Sequence, residues 1–177
     1  MALLAEEIVE EWLNRQGYFT VRGARLGVHE MDILAVRPTG DEYECRHIEI
    51  QASVRPVSYI SSIPINLLHE GQPPNSVKRT TEQLREGVKQ WVVKKFHMSK
   101  KQALKHTLCP CKWSAELVVH NVRHPQELAL IKEQGVLIHR LKQIVDKLAE
   151  CKFPLNSAGG GDFVDLVLMG KHESQQE

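Results

Sequence analysis

The chain has 177 residues, enough for one domain with a core of its own and no need of disulfide or metal staples. Its 23 Lys and Arg against 22 Asp and Glu leave a formal net charge of +1, so total charge offers no argument for a polyanionic partner and only local distribution can. No apolar run approaches a membrane span, Met1–Ala5 leads straight into Glu6 and Glu7 instead of a signal-peptide core, and Cys45, Cys109, Cys111 and Cys151 are too few for a secreted disulfide framework. The expectation is a soluble cytoplasmic protein with free thiols and no membrane partner.

The first helix is expected over 3–16, where Ala5, Ile8, Val9, Trp12 and Leu13 form one apolar stripe and Gly17 supplies the stop. A short β-prone run follows over 18–21, then a loop over 22–28 with its two glycines. Strands are expected over 30–37 and 43–51, joined by a turn at Pro38-Thr39-Gly40-Asp41. From Ala52 to Ser76, Pro56, Pro64, Pro73 and Pro74 break any period, and a loop so long in a compact domain is functional or mobile. Leu84, Val88, Trp91 and Val92 mark a second long helix over 78–96, followed by a basic stretch.

Beyond it lie a strand over 115–122, a helix opened by Pro125 and closed by Gly135, a short buried strand over 136–139, and a helix carrying Leu141, Ile144, Val145 and Leu148. Strand–helix–strand–helix order implies a parallel pair with a right-handed crossover. Gly159-Gly160-Gly161 reads as a joint, Asp162 as the cap of a last helix over 163–169, and 171–177 as a polar, disordered tail. The whole is one α/β domain over residues 1–170. Its mixed central sheet is flanked by helices in the order α-β-β-β-α-β-α-β-α.

Strand alternation puts Glu49 and Gln51 on one face of their strand and Ile48 and Ile50 on the other. A carboxylate and an amide in mid-sheet call for an explanation if that face is covered. The preceding strand, joined by a hairpin, carries Asp32 on the face of Leu34 and Val36, so Asp32 and Glu49 can approach across adjacent strands. Two neighbouring carboxylates repel unless a cation sits between them, and oxygen ligands favour a hard ion such as Mg²⁺ or Mn²⁺. The alternative is structural: Asp32 terminates a strand, and Glu49 pairs with Arg46 or Arg22.

Glu30-Met31-Asp32 followed by Glu49-Ile50-Gln51 resembles the PD-(D/E)xK nuclease superfamily, whose motif is an Asp on one strand and Glu-x-Lys on the next. Ala5-Glu6-Glu7 through Gln16-Gly17-Tyr18 is similar to the first helix of archaeal Holliday junction resolvases, in which an Ala-Glu pair precedes Gly and an aromatic residue. The resemblance covers residues 5–51 by motif and 78–139 by order of elements alone. It implies a restriction-endonuclease-like fold, Mg²⁺-dependent hydrolysis of DNA, and a homodimer. Asp32, Glu49 and the Ile50 carbonyl correspond to the metal ligands, and Glu6 to an additional outer contact. The chain departs from the motif at Gln51, where the family has Lys. Glutamine can orient water but brings no charge, so a cation such as Lys78, Arg79 or Lys89 is expected to substitute. The same departure fits a nuclease-fold module that binds or assembles without catalysis.

Lys94, Lys95, Lys100, Lys101, Lys105 and Lys112 fall in a stretch without acidic residues, a pattern suited to contacting phosphates and equally to a solvated surface. His106, Cys109 and Cys111, with His97, raise zinc as an idea. Cys-x-Cys is tighter than the usual knuckle, however, and no second cysteine pair follows. His29 and His47 flank the acidic pair. Trp12, Trp91 and Trp113 are expected in the core or against the sheet.

Overall fold

The computed structural model describes residues 2–53 and 55–150. The joint, last helix and tail expected over 159–177 lie outside the described residues. Five strands form one mixed sheet in sequential order: β1 (Phe19–Leu26), β2 (His29–Thr39), β3 (Glu42–Gln51), β4 (Trp113–Val119) and β5 (Leu137–Arg140). β1, β2 and β3 are an antiparallel meander, whereas β3–β4 and β4–β5 pair in parallel.

The helices divide between the two faces of the sheet. α1 (Ala2–Asn14) and α5 (Leu141–Glu150) cover one face. There Val9, Leu13, Ile144 and Leu148 pack on Ile33, Ile48, Ile50 and Val118. α2 (Thr81–Val92) and α4 (Pro125–Glu133) serve the other, where Leu84, Val88, Phe96, Leu128 and Ile131 meet Leu117 and Val119. As the middle strand, β3 is covered on both sides, and every residue from Cys45 to Ile50 is buried.

Several expected boundaries move for identifiable reasons. The loop expected over 22–28 is strand as far as Leu26, because β2 supplies ladder partners from Arg22↔Ile33 to Leu26↔His29. As an edge strand with a wet face, β1 shows no apolar alternation for a sequence reading to find. The second long helix starts at Thr81, where Thr80 and Gln83 form a reciprocal capping box. It passes after Val92 into a π-helical turn, Val93–His97. The basic stretch then becomes a helix of its own, α3 (Ser99–Leu108). The strand expected over 136–139 is an edge strand whose Leu137 is 53% exposed, so only Val136 beside it is truly buried.

Gly17 ends α1 with φ +83°, as a left-handed stop requires. The long irregular segment after β3 is tied to the body at several points. Val57 bridges Val122, and the Ile60 and Ser61 amides donate to the buried Glu127 carboxylate, each at 2.8 Å. Gly87 lets α2 lie against this segment, since a Cβ there would meet the Ser62 carbonyl at 2.5 Å.

Cys151 lies outside the described residues, and two of the other three depart from the expectation of free thiols. Cys45 at the start of the buried run in β3 is bonded to Cys111, and Cys109 is free and buried beside them. Their convergence depends on β3–β4 pairing, which places Cys45 opposite Trp113.

Candidate active site

The acidic pair is built by the β2–β3 hairpin. The register sets Ile33 against Ile48 and Leu34 against His47, so Asp32 follows on the same face as His47 and Glu49, at the open end of the ladder. There the Asp32 carboxylate takes the place of a backbone acceptor, receiving the Ile50 N–H at 2.7 Å. Burial, then repulsion from Glu49, pushes the Asp32 carboxyl up to about 6, against relief from the Ile50 amide and Lys95. Glu6 on α1 adds to that repulsion. Burial chiefly, with repulsion from Glu30, Glu10 and Glu7, raises the Glu6 carboxyl as well, although Arg22 opposes it.

Glu49 is fully buried and fully committed. Its Oε1 lies 3.1 Å from His47 Nε2, and its Oε2 accepts from Lys95 Nζ at 2.5 Å. Lys101 Nζ stands 3.5 Å from Oε1. Burial alone would raise the Glu49 carboxyl, but the His47 hydrogen bond and the Lys95 charge outweigh it and hold it below the ordinary range. The imidazole of His47 lies edge-on to Phe96 at 4.9 Å; burial lowers its pKa against the pull of Glu49, and its Nδ1 has no partner among the described residues.

The cations beside the site are Lys95 and Lys101, not Lys78, Arg79 or Lys89. Lys78 is exposed, Arg79 stacks on Tyr59 at 3.7 Å, and Lys89 pairs at the surface with Glu86. Lys95 arrives from the π-helical turn, whose extra residue per turn sends Phe96 into the core and Lys95 towards β3 while Lys94 stays in solvent. Glu49 and its bond to Lys95 raise the ammonium pKa above its ordinary value despite burial.

The basic stretch is therefore two-sided. Lys101 and Lys105 are 2% and 3% exposed. Lys101 donates to the carbonyls of Glu30 and Lys95, and Lys105 to that of Phe96 at 3.1 Å. Burial, then the neighbouring Lys101, brings Lys105 down to about 8. These two cannot lie on an outer phosphate-contacting surface, and Lys95 is engaged with Glu49. Lys94, Lys100 and Lys112 remain exposed. A spacing signal was available, since Lys101 and Lys105 stand four apart while Leu108 of the same helix is half exposed.

Gln51 ends β3 at a half-buried position on the Glu49 face, and its side chain has no hydrogen-bond partner among the described residues. Neither structural pairing of Glu49 is realised. Arg46 is bound in a buried bidentate pair to Glu116, which also meets His139 at 2.7 Å, and Arg22 pairs with Glu7 and Glu10. His29 is half-buried at the start of β2. Trp12 is core, Trp91 packs against the second cluster, and Trp113 donates to the Cys109 carbonyl at 3.1 Å.

Asp32, Glu49 and the adjoining backbone present hard oxygen donors, the set that suits Mg²⁺ or Mn²⁺. Residual repulsion between the two carboxylates is the mark of a place where more positive charge is favourable. No helix among the described residues is long and apolar enough to cross a membrane. No protein-family model matches the chain, and no curated protein resembles it in sequence. A solved structure titled "Crystal Structure of Protein of Unknown Function AF1548" is similar with a TM-score of 0.47 and 9% identity, over 84% of this chain and 67% of that one.

Proposed function

We propose that the chain is a metal-dependent phosphodiester hydrolase of the PD-(D/E)xK type, acting on DNA. The observation that carries this reading is the buried Glu49 carboxylate, beside a repelled Asp32 and with the Lys95 ammonium at 2.5 Å. A carboxylate pair with an adjacent lysine is the motif's chemistry, here with the lysine supplied by a helix segment instead of position 51.

Asp32, Glu49 and the Ile50 carbonyl would hold the ion, with Glu6 as a further acidic neighbour. Mg²⁺ or Mn²⁺, when bound, supplies acidification of water and positive charge against the scissile phosphate. Lys95 gives the charge that Gln51 lacks, stabilising negative charge as it grows on the phosphate. Gln51 orients the attacking water through its amide. The His47 hydrogen bond fixes the Glu49 carboxylate and, with the Lys95 charge, keeps it ionised.

The catalytically silent binding module is the second reading. It draws on the same contact, since both Glu49 oxygens already have partners that a metal would have to displace. Cleavage of plasmid and branched DNA with Mg²⁺ and Mn²⁺ separates the two. Cleavage abolished in Asp32→Ala and Glu49→Ala, with folding retained, supports the hydrolase. DNA binding without cleavage by wild type on every substrate form supports the module.

A further inference from the structure

At the other end of β3, away from Glu49, three sulfurs meet. Cys45 opens the buried part of the strand, Cys109 follows α3 directly, and Cys111 lies two residues on. Their Sγ atoms all lie within 4.8 Å of one another, with Cys45 and Cys109 buried and Cys111 half-buried. The segment carrying two of them is held by its own backbone: Cys111 N–H donates to the Cys109 carbonyl at 2.8 Å, and the Trp113 indole donates to the same oxygen.

A disulfide needs two sulfurs, and the Cys45–Cys111 bond leaves the buried Cys109 thiol turned to the same point without a role. Three thiolates at one point make a soft donor set, which prefers zinc to the hard ions suited to Asp32 and Glu49. Sulfurs around a tetrahedral zinc sit roughly 3.8 Å apart, given Zn–S distances near 2.3 Å, so small shifts after opening the disulfide suffice. Cys111 is half-buried, so solvent reaches the edge of the cluster to supply a fourth ligand.

We propose that Cys45, Cys109 and Cys111 form a zinc site in the reduced protein, with a solvent-derived fourth ligand, and that the Cys45–Cys111 disulfide is its oxidised, metal-free counterpart. Opening requires two electrons from a thiol or phosphine reductant and two protons, which come from the reducing thiols or, with a phosphine, from water. Each thiol then gives its proton to solvent as its sulfur takes the metal. The ion ties β3 to the segment that leads out of α3, and so fixes the helix that bears Lys101 and Lys105. The Cys-x-Cys pair alone is too tight for a zinc knuckle. Its third ligand comes from a strand more than sixty residues earlier, which spacing cannot reveal.

The test is Co²⁺ titration of the full chain, reduced with a water-soluble phosphine (which takes up oxygen from water to become its oxide) and then freed of it without air. The expected result is a thiolate-to-cobalt charge-transfer band with the visible bands of a tetrahedral ion, saturating at one equivalent and bleached by Zn²⁺. Zn²⁺ should also shield Cys45, Cys109 and Cys111 from maleimide, as read by peptide mapping. Cys109→Ser and Cys45→Ser should lose the band, as should oxidised protein, whereas Asp32→Ala should keep it. No band in reduced wild type, or an unchanged band in folded Cys109→Ser, overturns the site. If both serine variants fail to fold, the wild-type maleimide pattern decides, and three unshielded cysteines overturn it.

Discussion

Lys95 Nζ lies 2.5 Å from Glu49 Oε2, a contact between residues 46 apart in sequence that puts a cation inside an otherwise acidic pair. An exposed pair of this kind would contribute little, but the Glu49 carboxylate has no access to solvent, so losing its partner leaves a buried charge.

For the hydrolase reading, Lys95→Ala should lower kcat by roughly 10²–10³, the usual cost of removing one preorganised charge or donor. Gln51→Lys should keep or raise activity in the wild type. In the Lys95→Ala background it should recover part of the loss, because position 51 shares the Glu49 face of β3. Single-turnover cleavage with saturating Mg²⁺ gives the comparison. Failure of Gln51→Lys to recover any activity would mean that Lys95 acts only by holding Glu49.

The exposed lysines carry the nucleic-acid expectation. Changing Lys94, Lys100 and Lys112 together to Ala should weaken DNA binding and flatten its dependence on salt, by roughly 0.9 in log–log slope for each phosphate no longer neutralised. Fluorescence anisotropy across a salt series reads both quantities. Lys101→Ala and Lys105→Ala should instead lower stability, since both ammonium groups serve backbone carbonyls inside the fold.

Asp32 and Glu116 should give opposite pH signatures in the metal-free protein. The Asp32 carboxyl is raised from 3.8 to about 6, so between those values the folded state holds the extra proton and stability rises as pH falls. Asp32→Asn should therefore stabilise at pH 7 by on the order of 1 kcal/mol, with the gain gone near pH 4. Burial would raise Glu116, but hydrogen bonds from His139, Arg46 and Ser114 take it down to about 2. Its contribution is present above pH 4.5 and is lost as pH falls through about 2. Urea unfolding of each variant against pH provides the measurement.

The Arg46–Glu116 pair also sets a packing test. The Arg46 guanidinium lies 5.0 Å from the Trp12 ring and 5.2 Å from that of Tyr18. Glu116→Ala should cost about 3–5 kcal/mol by leaving that guanidinium buried and unpaired. The double variant Arg46→Met, Glu116→Leu should cost distinctly less than the single one, as denaturant midpoints would show.

Asp32 and Glu49 could be read from the chain because strand alternation and a short hairpin connect them, so local rules suffice to put them on one face. The parallel β4–β5 pair was legible for the same reason, from Pro125 and Gly135 bracketing the intervening helix. Lys95 was not legible. Its inward turn depends on a π-helical turn that the 3.6-residue period does not announce, and a lysine is ordinarily assigned to solvent. Lys101 and Lys105 escaped through the same assumption. Their heads satisfy backbone oxygens left over where helical segments meet, which composition does not encode. Cys45 reaches Cys111 only through parallel pairing of β3 with β4, a relation set by the whole topology.

The long sequence separation of Glu49 from Lys95 has a bearing on the order in which the fold assembles. The β1–β3 meander needs only neighbouring residues and can form early, with Asp32 and Glu49 still bathed in water. Covering that face before the Val93–His97 turn arrives would strand an ionised carboxylate without a counter-charge, so premature collapse of the helical layer is penalised. Phe96 and Lys95 come to this side of the sheet from the same turn. Each supplies what the other lacks, apolar surface for His47 and charge for Glu49.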